Sequence, residues 1–412
     1  MSRREIENLL GFFSDDERAE AVKRALYGHD LSVDEIELLL KARGRDLLVL
    51  GAVADHLRKI TVGDVVTYVV NRNINYTNVC ILSCKFCAFS RGYRSSEAYF
   101  IPIDDIVRLA EEAWELGATE VCIQGGLPPK MDWKFYPKVL KAIKSKIPEL
   151  HLHAFSPEEI WYGSKLSGMS FGDFIGLLKD AGLDSVPGTS AEILDDDIRK
   201  VISPGRISSE EWITIIKEVH RHGIPSTATI MYGHVETEAH RARHLAIIRE
   251  IQKETHGFTE FIPLSFVPYR TRLMDVVKGP PSAAEVMALY ATSRLVLNRY
   301  IRNLQVSWVK EGPRFAQMLL DFGANDFGGT LINENISSMA GAGNGQFLSP
   351  AEIRRLIIEA GRRPAQRDTL YRVIRVFDSV EADNPLPLDR IGHDETKFGT
   401  YWDMVKRWKY QA

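Results

Sequence analysis

The stretch NRNINYTNVCILSCKFCAFSR, residues 71–91, holds Cys80, Cys84 and Cys87, three of the chain's four cysteines, within eight residues. The spacing CxxxCxxC supplies three thiolates and stops there. A [4Fe-4S] cluster used only for electron transfer takes four cysteines. Three leave one iron without a protein ligand, and an open metal position is where chemistry happens. A structural zinc site needs a fourth closing ligand. The remaining cysteine, Cys122, lies in the apolar run TEVCI, the usual setting of a small core residue. A disulfide role is disfavoured by four cysteines in 412 residues with no apolar leader at MSRREIENLL, which fits a reducing cytoplasm.

Around that stretch the hydrophobic rhythm sets the architecture. Just before it lies the β-branched run VVTYVV (65–70), and NRNINYTN reads as the loop that delivers the cysteines. After it, helical and strand-like segments alternate. The strands are TEVCIQGG, HLHAF, DSV, STATIMYG, FTEFIPLSF, LQVSWVK and ANDFGG, each preceded by an amphipathic helix. With VVTYVV as the first, about eight βα units span roughly 270 residues, as in a (β/α)8 barrel of ~250 residues. An open doubly wound sheet is the alternative, but no GxGxxG loop follows the first strand.

Residues 1–60 read as an N-terminal helical segment, 61–345 as the barrel, and 346–412 as a C-terminal helical segment with a tail. Capping signals mark some helices, such as Ser32 with Glu35 and Ser349 with Glu352. A net charge of −3 gives no reason to expect nucleic-acid binding, and no apolar run reaches the roughly 20 residues of a spanning helix.

Barrel active sites form where the strands end. The cysteine loop, Gln124-Gly125-Gly126, Ser156 with Glu158, Pro187-Gly188-Thr189, Tyr232-Gly233-His234, Pro268 with Tyr269, Lys310, and Asn325-Asp326 each follow an expected strand. They collect at one rim. His234 and Tyr232 suit substrate contact. His151 and His153 alternate on one strand, so His153 is a candidate proton handler or a hydrogen-bonded core histidine. Asn325, Asp326 and Lys310 suit a polar substrate, although buried polar groups need partners in any barrel. Glu236, His240 and His244, spaced by four, could line a helix face as metal ligands, but solvated helix residues explain them more simply.

The cysteine spacing with aromatic Phe89 resembles the radical S-adenosylmethionine (SAM) superfamily. NRNINYTNVC, QGGLPP, HLHAFSPEEI, AGLDSVPGTSAEIL, TATIMYGHVET, REIQKETHGFTEFIPLSF, QVSWVK and GANDFGGTL are similar to one branch of it. That branch contains subunit 2 of deazaflavin (FO) synthase and two menaquinone-pathway enzymes. PGTSAEIL, where the futalosine enzymes tend to read PGGGAEI, favours the FO synthase family.

The resemblance implies a TIM-type barrel of the radical SAM class and a [4Fe-4S] cluster on Cys80, Cys84 and Cys87. The open iron is chelated by the amino and carboxylate groups of SAM. Reduction by a low-potential electron donor splits SAM into methionine and a 5′-deoxyadenosyl radical. Tyrosine then loses its 4-hydroxybenzyl fragment to 5-amino-6-(D-ribitylamino)uracil, and 2-iminoacetate leaves. FO synthase subunit 1, a separate radical SAM protein, closes the deazaflavin ring. Gly125 and Gly126 stand where a GGE-like motif meets the SAM amino group, with the Glu absent from QGGLPP. Glu192 and Arg199, two helical turns apart, are placed to take the ribose hydroxyls and the SAM carboxylate, or are an exposed helical pair. A closed barrel also keeps a carbon radical from water. The rival of another class is an iron–sulfur electron-transfer protein with a fourth ligand.

Overall fold

In the computed structural model, which describes residues 3–381, 383–392 and 394–411, the first extended run reaches beyond VVTYVV. It forms β1 (Val65–Val69) and β2 (Asn71–Asn75) with one break between them. The asparagine-rich stretch expected as a loop is therefore a strand. Asparagine has little preference for strands. Here tertiary partners override it: Asn71 Nδ2 donates to Glu120 at 2.9 Å, and Arg72 Nε donates to Asn333 Oδ1 at 3.0 Å.

The following strands are β3 (Glu120–Gln124), β4 (His151–Ala154), β5 (Ser226–Tyr232), β6 (Phe258–Ser265) and β7 (Asp326–Gly329). β2 runs parallel to β3, β3 to β4, and β5 to β6. Two short segments complete the ring. Ser185 and Val186 bridge β4 to β5, and Leu304 and Gln305 bridge β6 to β7. The ring closes through Thr67 with Asp326 and through Arg72 with Ile332. All these pairings are parallel, and eight positions result. This is the (β/α)8 barrel that the hydrophobic rhythm predicts.

LQVSWVK departs from expectation. Only its first two residues pair, and Trp308–Glu311 turns into a short helix. Trp308 drives the turn by burying its ring and donating Nε1–H to the Gly329 carbonyl at 2.8 Å. The helices between strands carry reciprocal caps, among them Ser156 with Glu159, Ser208 with Glu211 and Ser282 with Glu285.

Four helices precede the barrel, the last being Gly44–Val62, which packs on the helix Ala283–Leu297. The C-terminal stretch, expected as helical, also contains strands. β8 (Arg363–Arg367) pairs parallel with β1, and β9 (Val373–Val376) pairs antiparallel with β8. Asn325 and Asp326, expected at the rim, lie at the barrel's base because Asp326 begins β7 rather than ending it. There Asp326 accepts from Arg367 of β8 at 2.5 Å and from Thr67 of β1 at 2.5 Å. The helix Tyr401–Arg407 returns to the cysteine loop, where the Tyr401 hydroxyl accepts from Asn78 Nδ2 at 2.9 Å. Among the described residues no helix is long and apolar enough to cross a membrane.

Candidate active site

The strand ends open on a cavity of about 260 Å³. That far exceeds the roughly 10–15 Å³ of one water. Cys80, Cys84 and Cys87 line it on one side. Their loop is tied down along its length. Cys80 N–H donates to the Arg91 carbonyl at 3.0 Å, and Lys85 N–H, between the second and third cysteines, donates to the Ile202 carbonyl at 2.7 Å. Burial pushes the Cys84 thiol up to about 12 and the Cys80 thiol upward, while Arg206 opposes both. Cys80 and Cys84 are thus held as thiols near neutral pH, and a bound metal centre would reverse this by taking them as thiolates.

Gly125 and Gly126 line the same cavity at the end of β3. Their lack of a side chain has a packing cause. A Cβ on Gly125 would sit 2.5 Å from the Tyr76 ring, and one on Gly126 would strike the Val79 carbonyl. The strand end is thereby drawn against the cysteine loop. Beside it lies a carboxylate that the QGGLPP motif does not supply. Glu159 accepts from Gly125 N–H at 3.1 Å, Tyr76 Oη–H at 2.9 Å, and Ser156 N–H and Oγ–H at 2.8 Å each. Burial nevertheless pushes its carboxyl up to about 7 against those four donors. The signal for Glu159 was present in SPEE, where Ser156 and Glu159 form a capping box three residues apart.

Glu192 lines the cavity, but not from a helix. The helix begins only at Asp196, so Glu192 and Arg199 do not share a helical face. Glu192 sits in a loop at φ 45°, and nearby Ser190 has φ 78°. Two non-glycine residues in the left-handed region mark strain of the kind that functional sites hold.

Arg199 is absent from the cavity wall. Its buried guanidinium donates to the carbonyls of Ser190, Ala191 and Ile207, so it shapes this loop from behind. The guanidinium at the cavity is Arg206, which the sequence reading passed over. It bonds Glu158 at 2.9 Å and Glu192 at 2.6 Å and covers the Phe86 ring.

Tyr232, His234 and His153 are likewise outside the cavity wall. Tyr232 is buried with its hydroxyl 3.4 Å from Glu311. His234 folds back onto its own turn, with Nε2 3.1 Å from the Met231 carbonyl and Nδ1 2.9 Å from Glu236. His153 lies inside the barrel with Nδ1 2.7 Å from Ser185 Oγ. Burial lowers its pKa to about 4, so it is neutral near pH 7 and unsuited to proton exchange there. Glu236, His240 and His244 do not converge on a metal. Glu236 accepts from two backbone N–H groups and Arg241, His240 caps its helix, and His244 bridges Leu194 N–H and the Thr229 carbonyl.

The polar atoms at the cavity fit a cluster-and-ligand site. Among the described residues, no three His, Cys, Asp or Glu side chains converge on a single metal ion. The three thiols line one cavity and act on one another through space, which suits a multi-iron cluster with one cysteine per iron. Asn75 Oδ1 and Ser190 Oγ are buried there without a protein partner. Buried polar atoms are paired in nearly all cases, so these two are exceptions in residues that line the cavity.

A model of the radical SAM superfamily matches residues 74–248, and one of the CofH/MqnC C-terminal region matches residues 255–380. The 5-amino-6-(D-ribitylamino)uracil–L-tyrosine 4-hydroxyphenyl transferase of Methanocaldococcus jannaschii is 49% identical over 78% of this chain and 91% of its own length. The chain belongs to this transferase family. The transferase of the same name from Archaeoglobus fulgidus is 50% identical over 78% of this chain and 92% of its own. Among solved structures, the [FeFe]-hydrogenase maturase HydG superposes with a TM-score of 0.68 over 90% of this chain and 81% of its own, at 16% identity. Methylornithine synthase superposes at 0.64 over 84% and 97%, also at 16%. At such identities these two speak to the barrel alone. The two matches cover the barrel from the end of β2 onward together with β8 and β9, whereas β1 and the helix Tyr401–Arg407, which holds the cysteine loop, lie outside both.

Proposed function

We propose that this chain transfers the 4-hydroxybenzyl fragment of L-tyrosine to 5-amino-6-(D-ribitylamino)uracil, the step that precedes ring closure in deazaflavin synthesis. Three cysteines on one cavity, with no fourth among its described lining residues, support the cluster, and the similarity to the named transferases carries the substrate reading. Cys80, Cys84 and Cys87 would hold a [4Fe-4S] cluster with one open iron. Bound there, the cluster and SAM would supply the radical chemistry needed to break the tyrosine side chain.

The chain's own residues do the rest. Gly125, with Glu159 behind it, presents the β3 strand end to the ammonium of SAM. Glu192, held by Arg206, offers its second carboxylate oxygen to ribose hydroxyls. Asn75 and Ser190 supply the unpaired acceptors. Phe86, Leu127, Met231 and Phe266 line the remainder and exclude water, which holds the reacting carbons together and protects them. A low-potential electron donor and FO synthase subunit 1 are the functional partners this activity requires.

Product analysis tests the reading. Reconstituted, reduced protein is incubated anaerobically with SAM, tyrosine and the ribitylaminouracil. Deoxyadenosine with a hydroxybenzyl–uracil adduct is the expected result. Deoxyadenosine without adduct would move the assignment to the menaquinone branch. An intact cluster that yields no deoxyadenosine would move it to electron transfer.

A further inference from the structure

Two cationic side chains line the cavity, Arg206 and Lys310. Their situations differ. Arg206 is spent on Glu158 and Glu192, both within hydrogen-bonding distance. Among the described residues, Lys310 makes no ion pair within 4 Å and no side-chain hydrogen bond, although burial works against its charge. Glu334, Glu192, Glu311 and Cys87 act on it only through space. A buried cation with no carboxylate within ion-pairing distance is costly, and a ligand carboxylate would offset that cost.

Its position is also fixed. Lys310 sits on the short helix Trp308–Glu311. Trp308 is pinned to Gly329, and Asn344 Nδ2 donates to the carbonyls of Val309 at 3.1 Å and Lys310 at 3.3 Å. A long flexible side chain on a rigid pedestal delivers a point charge to one place.

We infer that Lys310 anchors the α-carboxylate of the tyrosine substrate. The inference rests on the transferase reading. That reading brings two amino-acid carboxylates into the cavity. The one on SAM would be taken by the open iron, which would leave the tyrosine carboxylate in need of a cation, and Lys310 is the cation not already spent. Anchoring that end fixes where the Cα–Cβ bond lies relative to the cluster wall. It also selects an amino acid over the corresponding amine.

The test uses anaerobic holoenzyme with SAM bound and no reductant, so that binding is read without turnover. Tyrosine, tyramine and SAM affinities are measured by calorimetry for wild type, Lys310→Met and Lys310→Arg. The expected result is a tenfold or greater loss of tyrosine affinity in Lys310→Met, partial recovery in Lys310→Arg, and SAM affinity within twofold of wild type. Tyramine, which lacks the carboxylate, binds wild type at least tenfold more weakly than tyrosine and is indifferent to the substitutions. The wild-type comparison of tyrosine with tyramine stands even if a variant does not fold. Equal binding of tyrosine and tyramine to wild type, or unchanged tyrosine affinity in Lys310→Met, would overturn the inference. So would a loss confined to SAM. Wild-type adduct formation reports on the transferase reading separately, so the two can fail independently.

Discussion

Glu159 at the mouth of the barrel and Glu260 near its base are both buried carboxyls pushed up to about 7 by burial. Their neighbours differ. At the mouth, three thiols and Lys310 line a cavity together with Asn75 and Ser190, whose Oδ1 and Oγ are buried without a protein partner. At the base, Asp326, Arg367, Tyr371, Thr67 and Glu260 bond one another: Arg367 donates to Asp326 and to Glu260, and the Tyr371 hydroxyl donates to Glu260. Arg367 also stacks 3.9 Å over the Tyr371 ring. Two buried glutamates thus sit in clusters that do opposite work. A polar cluster closed on itself locks β8 under β1 and plugs the barrel. A polar cluster left open is built to receive a ligand.

The largest separation of the two ends comes from removing one thiol. Cys84→Ala abolishes iron retention at full occupancy and adduct formation, and costs about 1 kcal/mol of folding free energy at most. Iron analysis, product mass spectrometry and urea unfolding report the three quantities. A variant that still forms adduct would break the assignment of the mouth.

The converse substitution is Asp326→Asn. It leaves the buried Arg367 without its nearest carboxylate, and breaking a buried pair costs about 3–5 kcal/mol. Urea unfolding reads that loss. The fraction that remains folded is expected to keep wild-type turnover. A loss below about 1 kcal/mol, or inactive folded protein, would mean that the base is not a structural lock.

Acid–base behaviour sharpens the comparison. A folded-state pKa near 7, against the ordinary 4.5, means the native protein holds a proton that the unfolded chain has released between those values. Stability is therefore greatest below about pH 4.5 as far as each group is concerned, and falls as pH rises to about 7. The fall is up to about 3 kcal/mol per group taken alone. Glu159→Gln and Glu260→Gln each flatten this slope in melting curves taken from pH 5 to 8. Only Glu159→Gln is expected to weaken SAM binding. Equal slopes in wild type and both variants would contradict the protonated assignments.

The smallest effect is at the C-terminal helix. Tyr401→Phe removes one hydrogen bond to Asn78, worth about 1 kcal/mol. It is expected to speed amide exchange in residues 78–101 with little change in global melting. Unchanged exchange there would separate this helix from the cysteine loop.

The barrel was legible because its helices are amphipathic and its strands apolar, so the 3.6 and 2 periodicities survive in the sequence. The three cysteines were legible because a cluster loop keeps its ligands close in sequence. β2 was not, since its asparagines become strand residues only through partners such as Glu120, supplied from another strand. Asp326 was misplaced because a four-residue strand does not reveal which of its ends is the mouth. Arg206 and Glu159 escaped for a related reason. Arg206 follows a serine-proline-glycine turn and Glu159 looks like an ordinary cap, and only the fold carries them to the cavity. Arg199 was the natural choice from spacing alone, but a helix that starts at Asp196 points it into backbone carbonyls.

At the mouth of this barrel the phenol-bearing carbon of tyrosine is expected to move onto the uracil. Tyrosine labelled with 13C in its ring, given anaerobically with SAM, reductant and ribitylaminouracil, tests it directly by mass spectrometry. The account predicts the full ring label in a uracil adduct, none in the two-carbon product, and one deoxyadenosine per adduct. Label remaining in intact tyrosine while deoxyadenosine accumulates would contradict it.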